Sequence, residues 1–256
     1  MRWRERRGRT LFRVEALEAG RAALRVAGRA TVFAAFERCC YVEANGGIAC
    51  LGADIGLGPL SMIVEDFKAS PVGTAIDIDV SSSKLWKPPA ATIIGDIPER
   101  EIPESIRTQA ETFLNWISGS GRPDDSLIGR GPGLTPAGDD FVGGAMIALR
   151  VCGTNAGHAA LADRIAAWAL PLAARNTNRI SRAHLECAAT GEGHEALHDL
   201  LCSFDEKHLE RLSRIGHSSG LDAAAGALLA LQAACAAVNP PSRRNPSRSW
   251  STSPAR

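Results

Sequence analysis

The chain has 256 residues, of which 45% are hydrophobic and 22% are charged, and its formal net charge is +1. These values are typical of a globular protein, and they exclude a fibrous chain, a wholly disordered chain and the overall basic excess of a nucleic-acid-binding protein. The seven cysteines include no CxxC pair, which favours reduced thiols in the cytoplasm over a disulfide framework or a zinc ribbon. We therefore expect a cytoplasmic protein with no metal and no cofactor.

The two ends of the chain differ in composition from its middle. Residues 1–9 are basic and predict a disordered start, which lacks the apolar run of a signal peptide. Residues 239–256 are rich in proline, serine and arginine and predict a disordered tail. The alanine-rich stretch 223–238 is too short to span a bilayer and predicts a buried helix. We expect neither a membrane nor a nucleic acid as a partner.

Residues 10–97 predict a β-rich domain. Strand-like runs cover residues 30–36, 39–44, 47–51, 74–80 and 91–94. The sequence Asn45-Gly46-Gly47 predicts a hairpin, because positive φ angles are favourable for asparagine and glycine. Asp77 and Asp79 alternate with apolar residues, which indicates a sheet with one face toward water. The pattern of residues 61–66 predicts neither strand nor helix.

Residues 98–238 predict a helical domain. The run 103–117 places apolar residues on one helical stripe, with Pro103 in its first turn. Further helical patterns cover residues 139–151, 159–174, 181–189, 194–201, 207–215 and 221–238. The chain is thus predicted to be an α+β protein, with a β-rich N-terminal part followed by an all-helical C-terminal part.

The glycine-rich stretch 129–144 is the first candidate binding segment. Gly131 and Gly133 would let the backbone approach a ligand closely. Thr135 and Pro136 suit the N-cap and the first position of a helix, whose start favours a phosphate or a carboxylate.

Charged residues surround this predicted helix start. Arg130 offers a planar clamp with two donors for an anion, and Gly138 lies in the first helical turn. Asp139 and Asp140 would repel an anion unless they accept hydrogen bonds, hold a cation or point elsewhere.

A second stretch, residues 216–231, repeats the same order of glycine, hydroxyl, glycine, aspartate and small residues. Small residues follow each aspartate at successive helical turns: Gly144 and Ala148 after Asp140, and Gly226 and Ala230 after Asp222. Such smooth stripes let two helices approach closely, so we predict that the helix starts at Thr135 and Ser219 face one shared site. The alternative is a plain capping box at Ser219 and Asp222, with glycines that only pack helices.

A third polar cluster spans residues 175–185. Thr177, Arg179 and Ser181 would close over an anion. The alternative is an ordinary N-cap at Ser181 beside solvated arginines.

Histidines offer weaker candidates. A Ser-His-Asp grouping of Ser218 or Ser219 with His217 and Asp222 is disfavoured, because neighbours in a turn seldom reach triad geometry and the nucleophile-elbow spacing is missing. A metal site at His194 and His198, which are four residues apart, lacks a third ligand. The histidines expected on solvated helix faces are His194, His198 and His208.

Two of these segments resemble a known family. Residues 131–140 and 216–222 are similar to the signature segments of AllH-type proteins, and residues 47–51, 56–60 and 177–181 also resemble family positions. Ala137 stands where the family commonly has serine, and Ser218 where threonine is commoner. The resemblance implies a subunit of oxamate carbamoyltransferase, which transfers a carbamoyl group between oxalurate and phosphate in anaerobic allantoin breakdown. Its implied partners are an acyl-CoA-synthetase-like subunit and a third family protein.

These observations give a candidate site and three hypotheses. The candidate catalytic residues are Asp140, Asp222 and His217. The candidate substrate-binding residues are Arg130, Gly133, Thr135, Gly138, Asp139, Thr177, Arg179, Ser181, Ser218, Ser219 and Gly220. In the first hypothesis, backbone amides near the two helix starts hold phosphate, carbamoyl phosphate or a ureido acid, while the two aspartates orient a carbamoyl nitrogen. The others are a non-catalytic scaffold or anion-sensing subunit, and nucleic-acid binding through the arginine-rich tail.

Overall fold

A computed structural model of the chain describes residues 12–65, 67–89, 97–152 and 156–238. The predicted disordered ends at residues 1–9 and 239–256, and the predicted strand at residues 91–94, lie outside the described residues. Within them, a closed sheet is followed by packed helices, which confirms the predicted α+β class.

The N-terminal part is a β-barrel. Its strands are Phe12–Gly20 (β1), Gly28–Ala35 (β2), Cys39–Ala44 (β3), Gly47–Gly52 (β4), Ser61–Val64 (β5), Ala75–Asp79 (β6) and Lys84–Trp86 (β7). The strand order is β5-β4-β3-β2-β6-β1-β7, and β5 also pairs with β1, which closes the sheet. The segment 61–66, which had no predicted element, contains β5 because its backbone pairs with β1 on one side and β4 on the other.

Successive side chains along each strand point alternately into the barrel and out of it. Ile76 and Ile78 point inward and are each 2% exposed, whereas Asp79 lies outside and binds Arg13 at 2.6 Å. The hairpin between β3 and β4 is confirmed, since Asn45 has a φ of 52° and Gly46 a φ of 73°. The barrel core consists mainly of small and branched side chains: Ala30, Val32, Cys40, Val42, Ala49, Leu51 and Met62.

The C-terminal part consists of packed helices. They are Arg107–Ile117 (α1), Ala137–Val151 (α2), Ala156–Asn176 (α3), Arg179–Ala188 (α4), Glu195–Ser203 (α5), Glu206–Ser213 (α6) and Ser219–Val238 (α7). The segment Ser219–Ala237 is long and apolar enough to cross a membrane, yet 56% of its most apolar window is buried. Leu228 and Leu231 are fully buried in the helical core, so α7 is the buried helix that its composition predicts.

The histidines of α5 correct one prediction. His198 is fully buried, not solvated, and the ring centroid of Trp86 from β7 lies 5.9 Å from that of His198. The His198 Nε2 atom accepts a hydrogen bond from the Gly193 amide at 3.1 Å, and burial lowers the pKa of His198 to about 4. His194 caps α5 by accepting from the Ala196 amide. His208 is partly buried.

Candidate functional site

The backbones of α2 and α7 touch at two glycines. A Cβ atom at Gly144 would lie 1.9 Å from the carbonyl oxygen of Ala223, and one at Gly226 would lie 1.9 Å from the carbonyl oxygen of Phe141. No side chain fits at either position, so the two smooth stripes pack directly against each other. The structure therefore shows the close helix approach that the repeated sequence pattern predicts.

This contact brings the two helix starts together. The hydroxyl oxygens of Thr135 and Ser219 are 2.8 Å apart. The Thr135 hydroxyl also donates to Asp140 Oδ2 at 2.9 Å. The Ser219 hydroxyl also interacts with the Asp140 carboxyl, so the two hydroxyls and this carboxyl form one hydrogen-bonded cluster. A continuous hydrogen-bonded chain thus links α7 to α2.

Two desolvated carboxyls lie at these helix starts. Burial raises the pKa of Asp140 well above its usual value; the charges of Asp222 and Asp139 add to the effect, and the hydroxyls of Thr135 and Ser219 oppose it. Burial also raises the pKa of Asp222, which is only 5% exposed. Within the described part of the chain, its Oδ2 atom has no hydrogen-bond partner. A neutral carboxyl here can donate to an anionic oxygen, and an ionised one can accept from a nitrogen.

Several predicted substrate-binding residues instead support the fold. Asp139 is 2% exposed and accepts from the Gly129 amide at 2.7 Å and the Ser181 hydroxyl at 2.6 Å. Gly138 and Gly220 are packing residues, because a Cβ atom at either would lie about 2 Å from a carbonyl oxygen of a neighbouring segment. These residues position the two helix starts.

The two arginines predicted to bind an anion have different surroundings. The Arg130 Nε donates to the carbonyl of Ser105 at 3.1 Å. Arg179 pairs with Glu43 of β3 and lies over the Phe33 ring, 3.6 Å from its centroid. The charge of Arg179 is therefore paired within the protein, whereas the Arg130 side chain is exposed and bonds a neutral carbonyl.

The start of α2 differs from its prediction in two further respects. Pro136 is the N-cap, and it makes no side-chain hydrogen bond. Thr135 does not cap the helix because its hydroxyl is directed toward Asp140 and Ser219. The Gly138 amide donates to the Arg130 carbonyl at 2.9 Å and is not available to an anion. Gly133, with a φ of 103°, lies in the exposed turn before Thr135.

The third polar cluster holds the first glycine-rich loop in place. Asn178, not Ser181, is the N-cap of α4, since its side chain accepts from the amides of Ile180 and Ser181. The Asn178 amide group also donates to the Leu134 carbonyl at 2.7 Å. The Thr177 hydroxyl is buried and has no hydrogen-bond partner among the described residues.

The turn before α7 is open to solvent. His217 and Ser218 are exposed. The Ser218 carbonyl accepts from the Asp222 amide at 2.9 Å, and its side chain interacts with the Asp222 carboxyl. These contacts tie the turn to α7.

The barrel contributes a residue that sequence reasoning missed. Asp140 is among the charges that raise the pKa of Tyr41, whose main cause is burial. Tyr41 of β3 therefore lies near the helix starts, with Phe33 and Phe36 around it at ring-centroid distances of 6.1 and 6.3 Å. The alternation of residues 39–43 indicates that Tyr41 and Cys40 lie on opposite faces, but it does not say which face meets the helices.

An open cleft of about 740 Å³ lies between the barrel and α4. Its arginines are largely neutralised within the protein: Arg21 pairs with Glu192, and Arg182 with Glu186. Arg179, predicted to bind substrate, lines this cleft. The four residues that meet at the helix starts, Thr135, Asp140, Ser219 and Asp222, are not among its lining residues.

Comparison with known proteins supports one family. The family model described as Oxamate carbamoyltransferase subunit AllH matches residues 127–231. This range contains both glycine-rich stretches and the contact between α2 and α7, which confirms the resemblance for that part of the chain. No curated protein and no solved structure gives a significant match.

Proposed function

We propose that this chain, whose helical part resembles AllH-type subunits, is a cytoplasmic subunit of a carbamoyltransferase complex acting in purine or allantoin breakdown. Its reaction would transfer a carbamoyl group between a ureido acid such as oxalurate and phosphate. The observation that carries the proposal is the hydroxyl contact between Thr135 and Ser219, beside the two desolvated carboxyls of Asp140 and Asp222. The family name supports the presence of further protein subunits.

The chemistry of these groups suits both halves of a carbamoyl ligand. Oxalurate and carbamoyl phosphate each carry an anionic group and an uncharged NH₂ group. On ligand binding, the Thr135 and Ser219 hydroxyls would rotate away from Asp140 and from each other and donate to the anionic oxygens. Two carboxyls that share one proton supply a donor for the anion and an acceptor for the nitrogen. Their raised pKa values remove the repulsion that two ionised aspartates would cause.

The proposed reaction balances without a cofactor. A phosphate oxygen attacks the carbamoyl carbon of oxalurate, and the bond from that carbon to the inner nitrogen breaks. The ionised member of the Asp140 and Asp222 pair accepts the phosphate proton, and the neutral member gives its proton to the departing oxamate nitrogen. The products are carbamoyl phosphate and oxamate. Positioning and stabilisation of developing charge would supply most of the rate enhancement.

A second candidate is a non-catalytic scaffold or anion-sensing subunit. The pairing of Arg179 with Glu43 and the Phe33 ring favours it, because a phosphate-transfer site normally has a cation near the developing charge. In this case a partner subunit would supply both the cation and the chemistry.

Calorimetry on the isolated full chain tests the first candidate. Phosphate, carbamoyl phosphate, oxamate and oxalurate are each titrated into the wild-type protein and into the Asp140→Asn, Asp222→Asn and Asp163→Asn variants. We expect at least a roughly tenfold loss of affinity for carbamoyl ligands in the first two variants, equal to about 1.4 kcal/mol. Asp163→Asn is the control, because Asp163 pairs with Arg150 on α2.

The pH dependence of binding gives a second readout. Affinity for the anions should fall as the pH rises through the raised pKa values of Asp140 and Asp222, because the neutral carboxyls lose the proton that they donate. Asp140→Asn should flatten this dependence. Binding that is absent from the isolated wild-type chain but appears when a partner subunit is added would favour the scaffold. Equal binding by wild type and both aspartate variants would refute the site.

A further inference from the structure

The outer face of the barrel carries two neighbouring thiols close to Tyr41. Tyr41 of β3 is directly opposite Cys50 of β4. Cys39 is two residues before Tyr41 on the same strand, and alternation places its side chain on the same face. Cys39 and Cys50 are therefore diagonal neighbours across two antiparallel strands. Both are free and only partly buried.

The two thiols have different proton affinities. Contact with the Cys50 thiol, assisted by the charge of Arg38, lowers the pKa of Cys39 to about 7 against the opposing effect of burial. The pKa of Cys50 is raised in turn by Cys39 and by burial. The pair thus combines a thiolate at Cys39 with a protonated thiol at Cys50, which are the attacking and resolving partners that thiol oxidation requires. Buried Cys187, by contrast, has a pKa raised to about 12.

We propose that Cys39 and Cys50 form a site of reversible oxidation, at which an organic hydroperoxide converts the two thiols into a disulfide across β3 and β4. The Cys39 thiolate attacks the terminal peroxide oxygen, the O–O bond breaks, and the alkoxide leaves and takes up a proton to become an alcohol. Cys39 is then a sulfenic acid. The Cys50 sulfur attacks the Cys39 sulfur, loses its proton, and displaces the hydroxyl group as water. Overall, two thiols and one hydroperoxide give one disulfide, one alcohol and one water.

The strands must adjust for the bond to close. Diagonal neighbours have Cα atoms about 7 to 8 Å apart, and a disulfide requires about 4.4 to 6.8 Å. A relative shift of about 1 Å between β3 and β4 brings the sulfur atoms together. Tyr41 neighbours both cysteines, opposite Cys50 and two residues from Cys39 on β3, so oxidation should move it.

Oxidation would also reach the helix starts. The side chains of Cys50 and Tyr41 interact, and the charge of Asp140 acts on Tyr41. The disulfide removes the Cys50 thiol from this chain of contacts. If the proposed function holds, the oxidised protein should bind carbamoyl phosphate more weakly than the reduced protein.

Peptide mapping of the full chain tests the oxidation site. The reduced protein is treated with one equivalent of tert-butyl hydroperoxide and digested without reductant. We expect a peptide pair joined through Cys39 and Cys50, formed at a rate whose half-maximum lies near pH 7 and reversed by dithiothreitol. The exposed thiol of Cys235 is the internal control, and Cys235→Ser should leave the linkage unchanged. In Cys50→Ser, Cys39 should stop at the sulfenic acid, which dimedone traps.

Two results of the mapping would contradict the oxidation site. Oxidation of Cys235 ahead of Cys39, or a modified Cys39 that never joins Cys50, would overturn the proposal. Tyr41 is the single tyrosine of the chain, so one labelled tyrosine resonance in an NMR spectrum should shift on oxidation. A disulfide that forms without changing that resonance or the affinity for carbamoyl phosphate would overturn the link to the helix starts. Peptide mapping requires no ligand, so its result tests the oxidation site independently of the proposed carbamoyl-transfer reaction.

Discussion

The two glycine-rich helix starts look alike in sequence, but the protein surrounds them differently. The loop before α2 is fixed by Asp139, which binds the Gly129 amide and the Ser181 hydroxyl, and by Asn178, which binds the Leu134 carbonyl. The turn before α7 has exposed side chains at His217 and Ser218. Both turns are exposed, at residues 131–134 and 216–218, but the first is held to the rest of the helical part by more side-chain hydrogen bonds.

What the two starts share is the helix contact below them. Gly144 of α2 faces the Ala223 carbonyl, and Gly226 of α7 faces the Phe141 carbonyl. Since this reciprocal arrangement places Thr135 against Ser219, the repeat first of all specifies a close approach of two backbones. The two helix starts differ in the hydrogen-bond partners of the polar residues that precede each helix.

The largest effect should come from breaking the shared contact. Gly226→Ala and Gly144→Ala each place a Cβ atom 1.9 Å from a carbonyl oxygen. We expect each to lower the free energy of unfolding by more than about 4 kcal/mol or to prevent folding. Gly143→Ala is the matched control: its nearest contacts are at 3.7 Å, and it should stabilise α2 by up to about 1 kcal/mol. Urea denaturation measures both, and equal effects would show that the helices do not touch here.

Asp139 distinguishes the fixed start from the open one. Asp139→Asn presents an NH₂ group where the carboxylate accepts from Gly129 and Ser181, so it should cost about 2 kcal/mol of stability. A matched change at the second start, Ser218→Ala, removes an exposed hydroxyl and its contact with the Asp222 carboxyl, and should change stability by less than about 1 kcal/mol. Unfolding curves of the two variants test the contrast. If Asp139→Asn folded with normal stability but lost ligand binding, Asp139 would be the ligand contact that its sequence position suggested.

The pH dependence of stability should reveal the desolvated carboxyl of Asp140. Its pKa is raised in the folded protein, so its contribution to stability is fully present below the unfolded value of about 3.9 and is lost as the pH rises through the folded pKa. Asp140→Asn removes this loss. Denaturation midpoints measured from pH 4 to pH 8 should shift increasingly in favour of the variant. A difference that shrinks with rising pH would indicate that the folded protein favours the ionised form.

The smallest effect should come from the cap that links the first loop to α4. Asn178→Ala removes the acceptor for the Ile180 and Ser181 amides, and should cost about 1 kcal/mol. Asn178→Asp keeps that acceptor but loses the donor to Leu134. Comparison of the two variants by thermal denaturation separates the cap from the loop contact. An unchanged melting temperature in both would show that neither bond anchors the loop.

Local patterns were sufficient for the order and type of most elements. Apolar and polar residues alternate over 76–79 because one face of β6 is buried and the other is partly exposed. Apolar residues recur every three to four positions over 107–117 because one face of α1 is buried. Segment 61–64 escaped prediction because a strand that pairs on both sides carries little distinctive alternation in four residues. His198 was wrongly assigned to solvent because Trp86, which packs beside it, comes from a different part of the chain.

The site itself was only partly accessible to such patterns. The spacing of small residues along α2 and α7 predicted their close approach, because a stripe at one helical spacing is visible in the sequence without coordinates. Which polar groups face a ligand depended on pairings between distant residues, such as Thr135 with Ser219 at a separation of 84 positions and Asp139 with Ser181 at 42. A donor that is already bonded within the protein must break that bond to reach a ligand. Which donors are bonded in this way depends on three-dimensional packing, which the residue order along one strand or helix does not encode.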